Sequence, residues 1–332
     1  MGWRTVRLRW LSCLPSQFDH VEFFHPEKYG RTDLKRGFRT LSRLFAMRKA
    51  AKHAYAKGHR NILVATNGES ALLKPWPDVR YFIYGDATHS QFRSLYLGSE
   101  GSWKQAQQVA SLVRLAEKGH HFFAMSNWCM EGMRKEYSVP EGQVTLLPPP
   151  MDAHLFVPRE RPPHAGLNVL FLGADYYRKG GDIILELARD PELQFCNWHM
   201  VTEFEHDPLP NVTYHTGIKP QSDELLRIMG QCDVLALPTR ADCSSLAGLE
   251  ALSMEIPVII TGVGGTPDIV TTGFNGFLLD RAEPALVKAA LQQYHYCPEL
   301  LEEHGKNGRQ RVLQQNNLDV HVKRIADTIL GK

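Results

Sequence analysis

Apolar and polar positions recur along this chain with two different periods, and the periods mark its elements. Short uninterrupted apolar runs suit strands buried on both faces of a parallel sheet. They lie at Asn61–Thr66, Val79–Tyr84, His121–Ser126 and Gln143–Leu147, and again at Asn168–Leu172, Trp198–Thr202, Val212–His215, Val234–Leu237 and Pro257–Ile260. Between them, apolar residues at helical spacing predict helices over 101–118, 131–137, 182–189, 223–229 and 246–254. Three more, over 282–294, 298–312 and 318–330, close the chain. Strands alternating with helices in this way predict an α/β protein with parallel sheets. Ahead of all these, Val6, Leu8 and Trp10 alternate with Arg7 and Arg9, which predicts a strand with one wet face over Thr5–Leu14.

A composition shift divides the pattern. Pro148, Pro149 and Pro150 stop the fourth run, and Pro158, Pro162 and Pro163 continue the change, so an extended, stiff linker is expected over 148–165. The chain then reads as a first domain over 1–150, a second over 151–317 and a last helix over 318–332 that crosses back onto the first. A length of 332 residues agrees with two domains.

The net charge of +2 is too small to call for a nucleic-acid partner. The six cysteines are scattered without paired ligand spacing, which predicts a reduced cytoplasmic protein without disulfides. None of the fifteen histidines pairs at a convincing metal spacing, so no metal is expected. No run is long enough to span a bilayer, and Arg4, Arg7 and Arg9 interrupt any signal-like apolar core. Asp33–Lys57 sets Leu34, Phe38, Leu41, Phe45 and Tyr55 against a face of seven lysines and arginines. This helix reads as solvated and packed on its sheet, with peripheral contact to anionic lipid at the inner membrane face left open.

The richest chemistry lies between Asp233 and Asp280. Val234–Leu237 ends at Pro238, a polar loop follows, and Asp242, Ser244 and Ser245 are all good helix-start residues. A ligand of an open parallel sheet sits beyond the carboxyl ends of its strands, and a helix start there offers unpaired amides to phosphate. Asp242 and Glu250 could each accept from sugar hydroxyls, although a capping Asp and a surface Glu would look the same. Upstream, Gly173, the basic pair Arg178-Lys179 and Gly180-Gly181 between strand and helix make a plausible diphosphate cradle. Asp86 and His89 follow another strand's carboxyl end, where a cleft would be lined; equally, Asp86 or Thr88 would cap a helix beside an incidental His89.

Asp242-Cys243-Ser244-Ser245-Leu246-Ala247-Gly248-Leu249-Glu250, Pro257-Val258, Gly264-Gly265-Thr266-Pro267-Asp268 and Gly273-Phe274-Asn275-Gly276 together resemble the nucleotide-sugar site of retaining GT-B glycosyltransferases, the glycogen synthase-like and mannosyltransferase-like family (family 4, "group 1"). The resemblance covers the second domain well and the first loosely from about residue 60. It implies two Rossmann-like domains facing a cleft. It also implies transfer of a sugar from a nucleoside-diphosphate donor to a saccharide, lipid-linked or other hydroxyl acceptor, with retained configuration and no cofactor or metal. Glu250 would hold the ribose and Asp242 the donor sugar. Arg178 and Lys179, with amides near Ser244, Ser245 and Leu246, would stabilise the departing diphosphate, and Asp86 and His89 would contact acceptor or donor sugar.

Three positions depart from the family. Asp242 stands where Glu is usual, and Ala174 where an Arg usually follows the first glycine. Pro15–Phe24 contains no glycine where a phosphate-covering glycine loop is usual, so the first domain lacks its first βα unit or the chain starts late. The alternatives are a degenerate, non-catalytic GT-B protein that binds nucleotide sugar or a partner protein, and a same-fold epimerase.

Overall fold

The computed structural model describes residues 49, 51–64, 76–98, 103–204 and 208–331. The predicted strand Thr5–Leu14, the glycine-free stretch Pro15–Phe24 and all but the end of the predicted basic helix Asp33–Lys57 lie outside them. The chain forms two compact units, residues 1–149 with 321–332, and residues 150–320.

In the first unit, strands β1 (Asn61–Val64), β2 (Arg80–Gly85), β3 (His121–Ala124) and β4 (Val144–Leu146) form a parallel sheet in that order. Tyr81, Phe82, Ile83 and Tyr84 of β2 and Phe122 and Phe123 of β3 are fully buried. Burial on both faces is why these strands read as unbroken apolar runs. Helices α1 (His89–Tyr96), α2 (Trp103–Glu117) and α3 (Asn127–Tyr137) connect them. Thr88 starts α1 through a capping box with Gln91. The third helix begins four residues before its expected start, because Ser126 caps it by accepting from the Cys129 amide.

The second unit holds β5 (Leu167–Leu172), β6 (Cys196–Val201), β7 (Val212–His215), β8 (Val234–Leu237), β9 (Val258–Thr261) and β10 (Gly276–Leu279). Their order is β10-β9-β8-β5-β6-β7, with every pair parallel. The chain winds outward from β5 to β7, returns to the other side of β5, and winds outward again. The reversal lies between β5 and β8, a switch point at which an open α/β sheet leaves a crevice at its carboxyl edge. Connecting helices are α4 (Tyr176–Lys179), α5 (Gly181–Ala188), α6 (Asp223–Met229) and α7 (Leu246–Ser253), followed by α8 (Pro284–Tyr296), α9 (Glu299–Gln315) and α10 (Leu318–Leu330).

The expected linker over 148–165 is shorter than its prolines suggest. Ser253 Oγ donates to the Phe156 carbonyl at 2.8 Å, and Arg309 donates to the same oxygen. Arg161 donates to the carbonyls of Cys232 and Glu255, each at 2.9 Å. Residues 151–161 are therefore fixed to the second unit. Their partners lie far away in sequence, so composition alone predicted a stiff linker but not its attachment to the second unit.

Two buried histidines of the first unit tie its stability to pH. His321 of α10 bonds the Pro148 carbonyl at 2.9 Å and lies edge-on to Tyr84, and burial pulls its pKa down to about 3. His120 accepts from the Tyr81 amide and is pulled down to about 4 by burial, with Lys118 and Arg80 adding to it. Both are neutral in the fold and regain an ordinary pKa near 6.5 when unfolded. The stability they contribute is complete above that value and declines as pH falls below it, because the unfolded chain binds more protons. The melting temperature is expected to fall between pH 7 and pH 5, less steeply in His120→Gln. Identical pH slopes for the two proteins would contradict it.

Candidate functional site

The candidate residues of the second unit gather at the carboxyl ends of β5 and β8. These strands are neighbours, paired at Val169 with Val234 and Leu170 with Leu235. Past β5 the chain passes Gly173 and makes the single helical turn α4. The sequence predicts open loop there, because four residues are too few to show a helical period. Past β8 it runs through Pro238 and Thr239 to Asp242 and Ser245 before α7.

The two segments are tied together. Lys179 Nζ pairs with Asp242 Oδ2, and the side chains retain only 14% and 8% of their exposure. Arg178 donates through Nε to Asp175 Oδ2 at 2.8 Å and through its guanidinium to the Ala241 carbonyl at 2.7 Å. Its own carbonyl accepts from the Arg240 amide at 2.8 Å. The Arg240 guanidinium donates to both oxygens of Asp182 and to the Tyr177 carbonyl.

Glycines permit this approach. Gly180 has φ +82, and a Cβ there would lie 2.3 Å from the Pro238 carbonyl oxygen. A Cβ on Gly173 would meet the Phe171 ring at 2.4 Å and Lys179 at 3.1 Å. Gly173 therefore serves close packing of the turn against its strand.

The start of α7 completes the group. Ser245 is buried and accepts from the Gly248 amide at 3.2 Å, the N-cap role expected of it. The amides of Leu246 and Ala247 precede Gly248 and have no acceptor within the helix. Leu246, Ala247 and Glu250 are half-buried while Gly248, Leu249, Ala251 and Leu252 are buried. Glu250 thus shares a face with the first two amides, one turn further on. Ser244 is half-buried before the cap, and the Cys243 carbonyl accepts from the Gly265 amide at 3.0 Å, which draws the glycine loop after β9 against the same segment.

Asp86 and His89 lie in the first unit, past β2. The Tyr137 hydroxyl accepts from the His89 amide at 3.0 Å and lies 2.7 Å from His89 Nδ1. The phenol can donate to Nδ1 or accept from it, so either imidazole tautomer fits this contact. Burial holds the His89 pKa below its ordinary value, against a smaller opposing pull from Glu136. Thr88, and not Asp86, is the helix cap. Sequence reasoning overlooked Thr239, Arg240 and Asp175; the signal for the first two was their place just past a strand's carboxyl end.

Among the described residues no group of three or more His, Cys, Asp or Glu is arranged to hold a metal ion. Among the described residues, Cys129, Cys196, Cys232, Cys243 and Cys297 form no disulfide. None of the described helices is long and apolar enough to cross a membrane. A recess of about 420 Å³ beside Arg159, Arg227 and Gln231 lies near the amino end of β8, the opposite edge of the sheet from this group.

Residues 159–311 match the family described as "Glycosyl transferases group 1". That match falls within the second unit. An uncharacterized glycosyltransferase of Methanocaldococcus jannaschii is 28% identical over 146 residues, 42% of either chain. The chain covers between 33% and 51% of the length of such curated relatives. Sucrose-phosphate synthase from Thermosynechococcus elongatus has a similar structure, with a TM-score of 0.74 at 18% identity over 96% of this chain and 86% of that one. A second, Anabaena HepE in complex with UDP-glucose, gives 0.65 at 12% identity over 87% and 82%. A GT-B type of fold, with two Rossmann-like units, is thus common to all three structures.

Proposed function

We propose that this protein transfers a sugar from a nucleoside-diphosphate sugar to a hydroxyl acceptor, with retained anomeric configuration and without a metal. The reading is carried by one observation: Lys179 and Asp242, from neighbouring strand tips, meet at the switch point beside the open amides of α7. Lys179 and those amides would take the charge that develops on the departing diphosphate, which is electrostatic catalysis of the leaving group. Asp242 would accept from a hydroxyl of the donor sugar and Glu250 from the ribose. Arg178, whose guanidinium already braces the loop, would contribute mainly by holding Lys179 in place. The acceptor oxygen would bond to the anomeric carbon on the face that the diphosphate leaves, as the anomeric carbon–phosphate oxygen bond breaks and the hydroxyl proton passes to the departing diphosphate. Asp86 and His89 would serve the acceptor side.

A panel of nucleotide sugars, read by thermal shift and by donor hydrolysis, tests the proposal. Uridine donors come first, given the UDP-glucose held by the Anabaena structure. At a hundredfold excess over Kd, a ligand of the folded state adds about 2.7 kcal/mol of stability. Glu250→Ala is expected to abolish that shift. A shift of wild-type size in Glu250→Ala would remove the ribose assignment.

A further inference from the structure

Thr239 has no place in the reading above, yet it stands at the crossing of the two segments. Its side chain is fully buried. Its Oγ1 lies 3.2 Å from the Arg178 carbonyl and 3.1 Å from the Ala241 carbonyl, two acceptors that share its one proton. The Arg240 amide reaches the same Arg178 carbonyl at 2.8 Å. Arg178 in turn donates to the Ala241 carbonyl at 2.7 Å. Arg178 and Ala241 each immediately precede a member of the ion pair, Lys179 and Asp242. One buried hydroxyl thus sits between the backbone units that carry the two charged groups.

A buried Lys–Asp pair places demands that the flanking loops must meet. Its geometry has to be good for mutual attraction to offset desolvation. It also has to hold still, because a displacement of about 1 Å in a catalytic group can cost about a hundredfold in rate. The Arg240 amide and the Arg178 guanidinium already link the two backbones, and the Thr239 hydroxyl adds a third link that is shielded from water.

We propose that Thr239 is a positioning residue. Its hydroxyl straps the turn bearing Lys179 to the loop bearing Asp242 and so sets the geometry of the pair at the proposed diphosphate site. The inference rests on the sugar-transfer reading for its consequence in turnover, but the strap itself is separately measurable. Thr239→Val keeps shape and volume and removes the hydroxyl. Thr239→Ser keeps the hydroxyl.

The expected result for Thr239→Val is faster hydrogen exchange in 176–181 and 239–242 than in wild type, with other segments of the second unit unchanged. Turnover of the preferred donor should fall about tenfold or more, chiefly in kcat, with KM moved less. Thr239→Ser should restore both. Exchange in Thr239→Val equal to wild type would overturn the strap, as would a serine variant as impaired as valine. Faster exchange with unaltered kcat would overturn the positioning role. Failure of the sugar-transfer reading would look different: no nucleotide sugar would stabilise even the wild-type protein, while the exchange difference would persist and support the strap.

Discussion

Lys179→Ala is expected to lower donor turnover by about two orders of magnitude or more and to destabilise the second unit by about 3–5 kcal/mol. Both effects come from one geometry. Lys179 and Asp242 retain 14% and 8% side-chain exposure, so removing the ammonium leaves a carboxylate with little water and no cation at its oxygen. Truncating one partner of a buried pair is costly for that reason, even where the pair as a whole adds little. The two effects separate in a double-mutant cycle. Lys179→Met with Asp242→Leu removes both charges and should recover most of the lost stability, because no unpaired charge remains. It should recover none of the turnover, because the leaving diphosphate has lost its cation. Urea midpoints and donor turnover on the four proteins give the result. Additive losses of stability would show that the pair is solvent-screened, and wild-type turnover in Lys179→Ala would sink its role with the leaving group.

Gly180→Ala is the second large effect, and it is a backbone effect. Gly180 adopts φ +82 and ψ 27, a conformation that costs an L-residue about 1–2 kcal/mol. The new Cβ would also lie 2.3 Å from the Pro238 carbonyl oxygen, which belongs to the backbone and has no rotamer by which to escape. The sum is expected to reach the exceptional range for a single substitution, above about 4 kcal/mol. Turnover should fall further than the folded fraction accounts for, because the displaced segment carries Asp242. Gly217→Ala is the control. Gly217 has φ +70 with nothing within 4 Å of its added Cβ, so it bears the conformational cost alone. If the two variants unfold at the same urea concentration, the close approach of the two segments is not present in solution.

The strands and helices around the site were legible for a common reason. Val234–Leu237 is buried on both faces and stopped by proline, and α7 starts at a serine whose oxygen can reach an amide three residues on. Such features depend on neighbours in sequence. The single turn Tyr176–Lys179 was not legible, since one turn has no period, and the linker was misjudged because its anchors, Ser253 and Arg309, lie about a hundred residues or more away. The Asp242–Glu250 motif fixed which residue types stand past the strand tips and how far apart they lie along the chain.

By itself the sequence determined the α/β alternation, the division into two parts and the residue types at the strand tips. Local hydrophobic pattern and capping chemistry suffice for these. Only the tertiary structure decided that β5 lies between β6 and β8, and from that order the rest follows. It brings Lys179 against Asp242 across 63 positions of sequence, turns Arg178 inward as a brace and buries Thr239 between two carbonyls. Which strands become neighbours depends on how whole apolar faces are buried together, and no local stretch of residues carries that information.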